Sequence, residues 1–351
     1  MICGPRLRQL REARAMSQKE LADASGVAQP LISQFETDAR FSDAGVHQRI
    51  ADALGVPATF LTRAPMLLSE GSLGYFRSTR SKVASVDYNA ARRKAEMGIE
   101  LVSLLAEEGR LPTSRLESVP DASPDEASIL ARSMLRLPPD APVPNLTRAL
   151  ERAGALVFQI GSLNREIHGF SAWASEPLSR PVFVARGGMS AFRLRFTLAH
   201  ELGHLVLGHQ VFGRPTKDTE SEANRFAATF LLPTEAMQDA FAAPIDIRRL
   251  AELKGVWGVS MSALLHRAKS MGFVDEGRYR ALYETLRKKG WLKREPGDDK
   301  TVPERPRLME DLARAKGMEP SASEFVFKFD FALADAEDLF GTTDLRLPMG
   351  L

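Results

Sequence analysis

Apolar side chains recur at helical spacing near the start of the chain: Leu7, Leu10 and Ala13, then Leu21 and Ala22, then Leu31, Ile32 and Phe35. Ser17 with Glu20 three positions on forms a capping box and predicts a helix from Gln18 to about Ala24. Gly26 supplies the left-handed residue that a tight turn between helices requires. A further helix is expected over Gln29–Glu36, and the segment RIADALGVPATFL (49–61) closes the unit. Past a helix from Leu146 to Ala153 the period changes. ALVFQI (155–160) and PVFVA (181–185) are short β-branched and aromatic runs, read as strands, and HGFSAW (168–173) alternates like a third. Helical spacing resumes at Phe192 and dominates to the end. The pattern predicts a mostly helical α+β protein with a small sheet in its middle.

Breaker clusters divide the chain. Pro57 and Pro65 close a first unit at 1–65, and 66–120 reads as a helical connector. LPT (111–113) and VPDASPDEA (119–127) precede a larger body over 121–295. EPGDDKTVPERP (295–306) introduces a tail region, 296–351. The Pro-rich stretch at 137–145 is too short to separate domains.

Composition narrows the function classes. The 351 residues carry 47 Lys+Arg against 45 Asp+Glu, a net charge of +2 that names no partner. No run approaches the roughly 20 apolar residues of a membrane span. Arginines near the start occupy the place where a secretory signal would have its apolar stretch, so a cytoplasmic protein is expected. Cys3 is the single cysteine, which excludes an internal disulfide and any Cys-rich zinc site. Basic runs at 77–94 and 278–294, and the acidic run Asp335, Glu337 and Asp338, read as solvated helix faces.

The helix after Gly26 buries Leu31, Ile32 and Phe35 and leaves Gln29, Ser33 and Gln34 outside, side chains able to bond base edges in a major groove. MSQKELADASGV, PLISQFETDAR and IADALGVPATFL resemble the phage-repressor-like (XRE) helix-turn-helix family over about residues 4–62. The resemblance implies that Gln18 touches the DNA backbone while Gln29, Pro30, Ser33 and Gln34 face the groove. Arg40 is expected to add salt-dependent affinity. The implied partner is a double-stranded operator, read as paired half-sites by a homodimer. Ala28 departs from the family pattern, standing where a Ser or Thr N-cap is usual.

RFTLAHELGHLVLGH (195–209) contains His-Glu-x-x-His. His200 and His204, four apart on a helix, can present two imidazoles to one metal ion, with Glu201 near enough to take a proton from its water. Leu198, Leu202 and Leu205 form an apolar back to this helix. A catalytic zinc takes a third protein ligand, and the helix in DTESEANRFAATFLLP (218–233) offers Glu220, with Asn224 on the same face as a brace. Glu222, rotated about 200° from Glu220, is expected to face solvent. His209 reads as a helix-end residue off the ligand face, and His168 and His266 as core histidines, His168 being near enough to the first strand to keep a transition-state role open.

These segments, with IHGFSAW, LKGVWGVSMSALLHRAKSMGF, GWLKREP and YFRS (75–78), resemble the ImmA/IrrE metallopeptidases. The resemblance implies a minimal zincin-like α+β domain behind the all-α unit, and the helical spacing beyond it predicts a helical C-terminal extension. It implies one Zn2+ per chain held by His200, His204 and Glu220, with Glu201 as general base. The implied substrate is a helix-turn-helix repressor. The alternative is a transcription factor whose peptidase-like body is a metal-dependent sensor or scaffold. TRAPMLLSEGSLG (62–74) is a candidate for cleavage in cis, although action in trans is the favoured expectation.

Overall fold

The computed structural model describes residues 2–69, 76–78, 84–106, 110–209 and 216–340. The first unit comprises α1 (Gly4–Ala13), α2 (Gln18–Ser25), α3 (Gln29–Glu36), α4 (Ala44–Leu54) and a 3₁₀ turn (Ala58–Thr62). The Ser17 hydroxyl accepts from the Glu20 amide while the Glu20 carboxylate accepts from the Ser17 amide, so the capping box forms. Gly26 turns the chain at φ 64°. No side chain caps α3 at Ala28, whereas Asp43 caps α4 by accepting from the Val46 amide.

The chain then enters a stretch that is more than a helical connector. Leu67–Ser69 already runs along the middle of the fold, the Ser69 amide donating to the Trp173 carbonyl at 2.8 Å. Phe76–Ser78 is a strand, β1, and α5 (Ser85–Leu105) follows. Residues 70–74 of the candidate cis segment, and 79–83 of the first basic run, lie outside the described residues. Arg6 bolts α1 to α5: its guanidinium is fully buried and donates to Glu100 at 2.6 Å.

After α6 (Pro124–Met134) and α7 (Leu146–Arg152), strands β2 (Leu156–Ile160), β3 (Ile167–Trp173) and β4 (Pro181–Arg186) complete a four-stranded sheet of order β1-β3-β4-β2. β2 and β4 are parallel, and β3 is antiparallel to both neighbours. Strand alternation splits the core. Phe158, Phe170 and Val184 face the side shared with the first unit and α5. Val157, Phe183 and Ala185 face α8 (Ala191–Val206) and α9 (Lys217–Leu231). Behind these pack α10 (Thr234–Ala240), α11 (Ile247–Trp257), α12 (Met261–Ser270) and α13 (Glu276–Lys288).

The tail forms α14 (Leu308–Ala315), α15 (Ala322–Phe329) and α16 (Leu333–Phe340) and returns to the first unit. Its acidic residues are not simply solvated. Asp330 accepts from Arg63 at 2.8 Å, Asp335 from Arg14 at 2.7 Å, and Asp338 from Lys94 at 3.1 Å. Phe331 packs on Phe60 with ring centroids 4.9 Å apart. Among the described residues no helix is long and apolar enough to cross a membrane.

Candidate metal centre and DNA-reading face

α8 is buried on nearly all sides because it lies between the sheet and α9, which explains its apolar flanks Leu198, Leu202 and Leu205. Gly203 permits this closeness: a Cβ there would meet the Phe226 ring of α9 at 2.9 Å. One turn apart on the α9 side, His200 and His204 are buried and bring their Nε2 atoms to 3.0 Å. Glu220, in the first turn of α9, completes the group. Its carboxylate oxygens lie 3.5 Å from His200 Nε2 and 3.4 Å from His204 Nε2. Burial pushes the Glu220 carboxyl up, but the hydrogen bonds and charge of the two imidazoles outweigh it and hold the group well below the usual carboxylate range.

The donor chemistry fits a cation. Asn224 Oδ1 lies 3.1 Å from His200 Nδ1 and accepts its hydrogen, which turns Nε2 toward Glu220, where its lone pair would serve an ion. Zinc held tetrahedrally at about 2.0–2.1 Å from each donor would space the donors about 3.3 Å apart. The separations in the structure are 3.0, 3.4 and 3.5 Å. The three residues are also a group able to hold a metal ion on distance alone.

Glu201 is fully buried on the sheet side of α8. There the Ser171 hydroxyl of β3 donates to the Glu201 backbone carbonyl at 3.0 Å and lies 3.4 Å from its carboxylate. Sequence reasoning missed Ser171, although alternation in HGFSAW puts it opposite Phe170 and hence on the α8 face.

His209 and Glu222 have partners beyond those expected of them, and the expectation for His266 needs correction. α8 ends at Val206, and Gly208 at φ 68° folds the chain back, so His209 does not follow the helical wheel. Its Nδ1 lies 2.9 Å from His204 Nδ1, and its Nε2 lies 3.0 Å from Glu222. Burial, then the His204 ring, pushes the His209 imidazole below its ordinary value. Glu222 is half-exposed but engaged, not a purely solvent-facing carboxylate. His266 is exposed on α12, where Tyr279 Oη lies 3.1 Å from its Nδ1, and is not a core residue. His168 is buried in β3 where the register against β1 shifts.

In the first unit, α2 and α3 carry the predicted reading residues. Gln29, Pro30, Gln34 and Arg40 are exposed, and Gln18 and Ser33 are partly so. Gln29 Nε2 donates to Gln18 Oε1 at 2.9 Å, Gln18 Nε2 donates to Glu36 at 2.9 Å, and Arg11 pairs with Glu36 from behind. The two glutamines are thereby held in one line from the buried ion pair to the surface.

Residues 4–61 match the helix-turn-helix domain family, and residues 150–269 match the IrrE N-terminal-like domain family. The chain carries both domains. The helix-turn-helix domain supports DNA binding, and the IrrE-like domain is of metallopeptidase type, a class that uses a metal. The IrrE-like domain runs from α7 to α12, so it spans the sheet strands β2–β4 and both helices of the histidine cluster. No curated protein matches the chain.

Proposed function

We propose that the chain is a DNA-binding regulator carrying a zinc endopeptidase. The observation that carries this reading is the convergence of His200, His204 and Glu220, with Glu201 next to His200 on the buried helix between them and the sheet. His200 and His204 would hold the ion through Nε2, and Glu220 through its carboxylate. Zinc at such a site supplies Lewis acidity, which acidifies water and polarises a peptide carbonyl. Glu201 takes the proton from the attacking water and delivers it to the leaving amine. Asn224 keeps the His200 ring aligned while this happens.

The substrate class that fits is a regulatory protein of the helix-turn-helix repressor type. An attached DNA-binding domain gathers the peptidase around whatever shares its operator, and short tethers give effective concentrations of about millimolar. A DNA partner supports a cytoplasmic location for the chain. Pairing of two chains on half-sites follows from the same logic.

The deciding variant is Glu201→Gln, which removes the base and leaves the three ligands. It is expected to bind zinc like the parent and to lose repressor cleavage, read as chain masses after incubation with the repressor. Unchanged transcriptional behaviour of the zinc-loaded variant in cells would favour a metal-dependent sensor or scaffold instead.

A further inference from the structure

A second imidazole stands directly behind His204, and a carboxylate stands behind that imidazole. We propose that Glu222 and His209 form a relay that positions His204 as a metal ligand; this rests on the zinc reading above. A carboxylate only accepts, so His209 Nε2–H donates to Glu222 Oε2 across 3.0 Å. With its hydrogen placed on Nε2, His209 presents Nδ1 as an acceptor. His204 Nδ1–H must then be the donor across the 2.9 Å contact. That fixes the tautomer of His204 with its Nε2 lone pair facing His200 and Glu220. The carboxylate, acting through one ring, also raises the basicity of the ligating nitrogen.

The surroundings hold the relay in place. His209 is 4% exposed. It follows Gly208, whose backbone lies against Pro120 so closely that a Cβ would meet the proline at 3.2 Å. The segment before Pro120 is tied to the end of α8, with Ser118 Oγ donating to the Leu205 carbonyl at 2.8 Å. α9 therefore supplies the third ligand, Glu220, and both braces: Asn224 acts directly on His200, and Glu222 acts on His204 through His209.

The test measures zinc affinity of the full chain by competition with a chromophoric chelator. His209→Phe, which keeps a ring but neither nitrogen, is expected to bind zinc about 10- to 100-fold more weakly than the parent, at one ion per chain. Glu222→Ala is expected to weaken binding as well, Glu222→Gln to restore most of it through its acceptor oxygen, and the double variant to be no weaker than His209→Phe alone. In zinc-loaded parent, nitrogen-15 spectra should place the His209 hydrogen on Nε2. The half-exposed Glu222 variants carry the test should His209→Phe fail to fold. Affinities within twofold of the parent, or a double variant showing the product of the two single losses, would overturn the relay and leave the zinc reading standing. Zinc stoichiometry lost in Glu222→Ala but kept in Glu220→Ala would make Glu222 a ligand and overturn it too. A parent that binds no zinc would remove the metal reading and the relay together, a result distinct from a loaded parent with indifferent variants.

Discussion

Gln29 reaches the surface of α3 from a chain of contacts that begins at the buried Arg11–Glu36 pair and passes through Gln18. Such a side chain is ordered before DNA arrives, so less rotamer freedom is lost when it meets a base edge. Ser33, one turn on, shares its face. Replacing Gln29 and Ser33 by Ala is expected to cost about 1–3 kcal/mol per lost base contact on the operator and little on random DNA. Anisotropy titrations on both duplexes at one salt concentration check this, and equal losses on both would show that these residues do not read bases. The capping box, Gly26 and the His-Glu-x-x-His spacing were legible because each is a relation within four residues of one helix. The partners of His209 were not. Helical extrapolation past Val206 fails once Gly208 turns the chain, and contact with Glu222 depends on how α9 lies, which no local spacing encodes.

At the level of elements, α9 is held in place at its far face by α6. The Asp125 carboxylate of α6 accepts from Arg225 at 2.6 Å and from the Thr229 hydroxyl at 2.9 Å. The Arg225 hydrogen bond holds the Asp125 carboxyl below its ordinary 3.8. A depressed carboxyl contributes stability that is complete above its unfolded value and is lost as pH falls through the folded one. The stability advantage of the parent over Asp125→Asn should therefore be full near about pH 6 and shrink once pH drops below 3.8. Denaturant titrations across that range measure it, and a gap that does not change with pH would mean the carboxylate charge contributes nothing. The strands β2, β3 and β4 could be read from their β-branched and aromatic runs. β1 could not, because three residues carry no period, and its place beside β3 is set by a partner some 90 residues away in sequence.

Over the whole molecule, the sheet rather than the domain border divides the core. One face of β2–β4 shares a continuous apolar cluster with the helix-turn-helix unit, α5 and the tail, while the other belongs to the helices around the histidines. The tail closes the first of these clusters. Phe331 is fully buried against Phe60, and Asp330 and Asp335 hold Arg63 and Arg14 on either side of it. The ion pairs involve partly exposed groups and contribute little alone, so the ring carries most of the docking energy. Truncating a buried phenylalanine costs about 3–5 kcal/mol, a large part of the stability of a small unit such as the four-helix N-terminal segment with its supports. Phe331→Ala is thus expected to lower the melting temperature of the full chain and to loosen the helix-turn-helix unit first. Hydrogen exchange should show faster opening at Leu7, Leu54 and Phe60 than at Phe183 or Leu202, which lie across the sheet. Equal loss of protection on both faces would mean the two clusters unfold as one body. Protection unchanged at Phe60 would mean the tail merely rests on the helix-turn-helix unit.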